Sequence, residues 1–66
     1  MSKSVEQIIN ERIDFLIKGI VKLRGFAEYD EAYWIEKDKH QIYEFCDVMG
    51  IEPEPYIKRY NEGVKK

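Results

Sequence analysis

The chain of 66 residues has a single cysteine, Cys46, so it can form no internal disulfide. It has two prolines, Pro53 and Pro55, both late in the chain. No apolar run approaches the ~20 residues that a membrane-spanning helix needs. The opening residues Met1-Ser2-Lys3-Ser4-Val5-Glu6 lack a cleavable signal pattern, so residence in the cytoplasm is expected. A lone thiol fits that reducing compartment and a packing role. Alternating β-branched runs and hairpin dipeptides are missing, which argues against a sheet. No glycine-rich phosphate loop occurs, and no serine is placed with the one histidine, His40. These absences predict a protein without catalytic apparatus or cofactor, acting by binding another macromolecule.

A domain this small buries only ~60% of its unfolded surface and is marginally stable alone. Lacking disulfides and any visible metal cluster, it must rely on tight helix packing, association with another chain, or both. One helical domain over residues 1–66 is expected.

The net charge of −2 is unevenly spread. Residues 1–27 hold five basic and three acidic side chains, residues 28–54 two basic and nine acidic, and residues 55–66 four basic and one acidic. The block charges are therefore +2, −7 and +3. Blocks of this kind choose partners and set encounter rates rather than fold.

The apolar residues recur at helical spacing. Val5, Ile9, Ile13, Leu16, Ile20 and Leu23 predict a first helix from Ser4 to about Arg24. Ser4 and Gln7 stand at capping-box spacing, and Gly25 occupies the place of a C-terminal glycine. Phe15, Ile17 and Val21 lie outside the main stripe, which predicts a homodimer contact or a partner surface. Residues 26–36 suit a short helix from near Glu28, with Ala32, Ile35, Phe26 and Trp34 as core anchors. Asp38 followed by Gln41 predicts the start of a second long helix through Ile42, Phe45, Cys46 and Met49. That helix can equally be continuous with the segment from Glu28. Gly50 and Ile51 fit its close in a Schellman motif. A last helix is expected from Pro53, with Ile57, Tyr60 and Val64 along its apolar edge. The expected fold is all-α: a three-helix bundle, with room for a short fourth helix.

Three constellations bear on function. Residues 38–62 outline helix, glycine-containing turn, helix, as in a helix-turn-helix or a plain αα-hairpin. The entry of the last helix, Glu52-Pro53-Glu54-Pro55, would repel the phosphates of a major groove. Lys58, Arg59, Lys65 and Lys66 lie further along and could clamp backbone phosphates. The second constellation is acidic and aromatic: Tyr29, Asp30, Glu31, Tyr33 and Trp34, with Glu28, Glu36 and Asp38. Aromatic anchors inside a charged rim are how protein interfaces are commonly built. The third is Glu36, His40 and Glu44, four residues apart on one helix face. Such groups can ligate metal or exchange protons, but Lys37 and Lys39 adjoin them and the spacing is common on solvated helices. No metal is assigned to them.

Trp34-Ile35, Ile42, Phe45-Cys46, Met49-Gly50-Ile51, Pro53, Tyr56-Ile57 and Arg59 resemble a pattern in small phage-encoded proteins. Those carry a tryptophan, a helix ending in Cys-x-x-x-Gly, then a proline-led helix with an aromatic and an arginine. The likeness covers about residues 34–60, with Glu52 where that pattern commonly has aspartate, and it leaves the first helix uncovered. It implies a helix-turn-helix-like accessory or regulatory protein of phage origin, working in the host cytoplasm. Two functions follow as expectations: nucleic-acid binding through the C-terminal half, or inhibition of a host protein through the acidic-aromatic segment.

Overall fold

The computed structural model describes residues 2–65 and consists of three helices. They are α1 (Val5–Leu23), α2 (Glu31–Met49) and α3 (Glu54–Val64). The all-α expectation holds, and there is no separate fourth helix among the described residues.

The predicted capping box starts α1. Ser4 Oγ accepts from the Gln7 amide at 3.1 Å, and Gln7 Oε1 accepts from the Ser4 amide at 2.9 Å. Two otherwise orphaned donors are thereby satisfied. Its end departs from expectation. Gly25 is not left-handed, and the chain leaves through tight turns, Gly25 N–H to Lys22 C=O and Phe26 N–H to Leu23 C=O.

The start of α2 is the main correction. Asp38 does not cap a helix; it lies inside one that begins at Glu31, and the cap is Asp30, whose side chain accepts from the Tyr33 amide at 3.2 Å. Phe26 and Trp34 are exposed rather than core anchors, and so is Ala32; Ile35 alone of that set packs on the core. At the other end the Schellman motif forms as expected. Gly50 takes φ 70°, its N–H reaches Asp47 C=O, and the Ile51 N–H reaches Cys46 C=O at 2.9 Å. Pro53 precedes α3 and its carbonyl accepts from Tyr56 and Ile57.

The core is a single cluster. It takes Ile9, Ile13, Leu16 and Ile20 from α1, Ile42 and Cys46 from α2, and Ile57, Tyr60 and Val64 from α3. Each set repeats every three or four residues, so each helix turns one stripe inward. Three long-range ties fix the arrangement. Arg24 Nε donates to Glu31 across the α1–α2 turn at 2.6 Å, and its guanidinium also reaches the Val64 carbonyl at the end of α3. Arg59 donates to Asp14 Oδ1 at 2.9 Å and to Asn10 C=O at 3.3 Å. Tyr60 Oη donates to Asp38 Oδ2 at 2.6 Å inside the core. Thus α1 and α3 run in the same direction, with α2 antiparallel to both. Where α3 meets α1, a Cβ on Gly63 would stand 2.3 Å from Ile17 Cδ1, so the Ile17 side chain fills the space that glycine leaves.

Candidate functional site

Exposed apolar side chains are segregated. Among the described residues nine large ones are open to solvent: Ile8, Phe15 and Val21 on α1, Phe26 in the turn, and Tyr33, Trp34, Tyr43, Val48 and Met49 on α2. None lies on α3. At roughly 100° per residue, Ile8, Arg12, Phe15 and Gly19 fall along one side of α1, and Trp34, Gln41, Phe45 and Val48 along one side of α2. These two sides border one groove. Arg12 and half-buried Phe45 line both of its adjoining hollows, of about 520 and 340 Å³. Ile8, Phe15, Lys3 and Glu11 also line the first, and Val48, Met49, Gln41 and Glu44 are among the residues that line the second.

At the far end of the same α2 side stands Trp34, and it meets Tyr33, on the adjoining flank in line with His40, edge to face, 5.4 Å between centroids and 85° between planes. Lys37 sits one turn on, its ammonium 5.3 Å from the Tyr33 ring and 5.6 Å from the Trp34 ring. Such contacts hold a cation against the negative faces of the rings. The expected acidic-aromatic site is thus divided. Tyr33 and Trp34 present ring surface to solvent, with Trp34 39% exposed. Asp30 is the cap of α2, and Glu31 is the ion-pair partner of Arg24. The Arg24 guanidinium holds the Glu31 carboxyl below the usual carboxylate range. Tyr29 is instead packed on the core, where burial raises its hydroxyl pKa and leaves the oxygen without a hydrogen-bond partner.

The basic residues of the C-terminal half do not gather. Arg59 is turned toward Asn10 and Asp14 on α1. Lys58 and Lys65 are exposed and seven residues apart, so they share the outward side of α3. Exposed Glu54 and Glu62 alternate with them there, which leaves that side with no net charge. Lys66 lies outside the described residues.

Phe15, Ile17 and Val21 do not form one surface. Phe15 (66% exposed) and Val21 (53%) are six residues apart and point to different flanks of α1. Ile17 is half-buried under α3, covered at Gly63. Sequence reasoning missed Ile8, Phe45 and Val48 as parts of a continuous surface. The signal was present in the seven-residue step from Ile8 to Phe15 and in the four- and three-residue steps from Gln41 to Phe45 to Val48.

His40 Nε2 stands 3.0 Å from Glu44 Oε1 in the open, and Glu36 pairs instead with Lys39 at 3.8 Å. Cys46 is fully buried, and burial raises its thiol pKa, which keeps it protonated and unreactive. Among the described residues no group of three histidine, cysteine or acidic side chains could hold a metal ion, and no helix is long and apolar enough to cross a membrane. Comparison with known protein families, curated proteins and solved structures returns no match.

Proposed function

We propose that this chain is a small, non-enzymatic regulatory or accessory protein that docks another protein on its α1/α2 face. The observation that carries this is the run of apolar side chains along the α1/α2 groove, Ile8, Phe15, Phe45, Val48 and Met49, with exposed Trp34 further along the same side of α2. Contiguous exposed apolar ground marks interaction sites. Tyr33 and Trp34 are the side-chain types that anchor interfaces, and Lys37, against both rings, supplies a charged rim. The groove between two helices is a recurring seat for a partner's helix.

This geometry favours a protein partner over nucleic acid. Phosphate backbones demand clustered cations, and the outward side of α3 alternates Glu54, Lys58, Glu62 and Lys65. The likeness of residues 34–60 to small phage-encoded proteins adds a setting. That setting is a host cytoplasm.

Affinity capture with Trp34→Ala, Val48→Glu and Lys58→Glu variants tests the proposal. Partner binding is expected to fall for the first two and persist for the third. Persistence in the first two, with salt-dependent duplex binding lost in Lys58→Glu, would replace it with the nucleic-acid reading.

A further inference from the structure

We infer that the partner seated on the α1/α2 face is a second copy of this chain, related by a two-fold axis passing beside Gln41. The inference rests on the docking reading above and names its occupant. Its basis is the order of side chains along α2. Trp34 stands seven residues before Gln41 and Val48 seven after. Lys37 stands four before, Phe45 four after and Glu44 three after. All of these but Phe45 are exposed, and Phe45 is half-buried in the floor of the groove.

When two copies of one helix cross antiparallel about a two-fold axis, a residue some distance before the axis meets the residue that far after it. Trp34 then covers Val48, at 81% the most exposed large apolar side chain among the described residues. Gln41 meets Gln41, and each amide both donates and accepts. Lys37 and Glu44 are seven residues apart and lie on the same edge of the stripe. The two-fold axis keeps that edge, so each ammonium faces the other copy's carboxylate instead of its own kind. Among the described residues Lys37 rests on its neighbouring rings, and Glu44 pairs with solvent-exposed His40.

The first helix completes the seat. α1 runs antiparallel to α2, in a register set by the Arg24–Glu31 pair, so Ile8 is level with Val48 across the groove. Trp34 of the second copy therefore arrives between Val48 and Ile8. Phe15 is level with the Gln41 crossing, where it too loses solvent. The result is a four-helix layer built from α1 and α2 of both copies, and it removes the marginal stability of so short a chain.

Sedimentation equilibrium tests the pairing, with circular dichroism to confirm that each variant is folded. The native chain is expected to reach twice its monomer mass. Lys37→Glu and Glu44→Lys should each weaken dimerisation by roughly tenfold or more through like-charge contact. The double variant should regain native dimerisation, which no effect inside one chain would produce. Gln41→Cys should oxidise to a disulfide-linked dimer, whereas His40→Cys, on the outer side of α2, should not. A chain that stays monomeric into the high micromolar range, or a double variant no better than the singles, overturns the inference. If that monomer still binds a different protein through Val48, the docking reading survives without the two-fold pairing; if it binds nothing there, both fall.

Discussion

Removing one oxygen from the core, by Tyr60→Phe, separates the hydrogen bond between α2 and α3 from the packing around it. Tyr60 is fully buried, and its hydroxyl donates at 2.6 Å to Asp38, a carboxylate only 7% exposed. Phenylalanine keeps the ring and its contacts and deletes only the donor. A hydrogen bond to a charged group contributes about 1.5–3 kcal/mol, and an unsatisfied buried carboxylate adds its desolvation cost. A domain of this size has only ~3–5 kcal/mol in hand, so Tyr60→Phe should remove about half of it. That loss corresponds to roughly 8–16 °C in Tm. The loss must depend on pH. Burial raises the Asp38 pKa above its ordinary 3.8, while the Tyr60 hydroxyl pulls it down. A raised folded-state pKa means that Asp38 favours the folded state most below its unfolded value, and that this is lost as pH rises through the folded value. Deleting the hydroxyl raises the folded value further, so the penalty should be largest at neutral pH and shrink near pH ~4. Urea unfolding followed by circular dichroism at both pH values, at one chain concentration, measures it. A loss below ~0.5 kcal/mol at neutral pH, or an equal loss in an Asp38→Ala background, would refute the reasoning.

Other substitutions probe separate parts of the fold. Gly63→Ala forces a Cβ into Ile17 and should cost about 1–3 kcal/mol by urea unfolding, part of which Ile17→Ala in the same chain recovers. Gly19 has nothing within 4 Å of its absent Cβ, so Gly19→Ala should stabilise the chain by about 1 kcal/mol. Gly50→Ala should do the reverse by about the same amount, because φ 70° strains any residue with a side chain. Asp38→Asn keeps an acceptor for Tyr60 and removes the buried charge. Its gain over the native chain should be greatest at neutral pH and fade toward pH ~4 in the same unfolding assay.

How much of this was legible in the sequence depended on how local the deciding interaction was. The inward stripes of α1 and α3 and the Ser4–Gln7 box involve residues three or four apart, and all are readable in one dimension. The start of α2 was not. Asp30 and Asp38 are both plausible caps, and what takes Asp38 into the core is Tyr60, 22 residues further on. Ile17 looked free for a similar reason: its cover is Gly63, a residue recognisable only by what it lacks. Gly25 and Gly50 each precede an apolar residue, yet only Gly50 turns left-handed. The candidate site was half legible. Tyr33 and Trp34 carried the aromatic signal, but whether a large ring in a small chain faces inward or outward is decided by the other helices. The continuity of Ile8, Phe15, Phe45 and Val48 needs α1 and α2 side by side.

Site-specific photo-crosslinking tests the central claim most directly. A photoreactive side chain is placed at Val48, on the α1/α2 face, or at Lys58, on the outward side of α3, and irradiated in extract of the cell that encodes the chain. A discrete protein adduct from position 48 and none from position 58 is the expected result. Adducts from position 58 with none from position 48 would contradict the account.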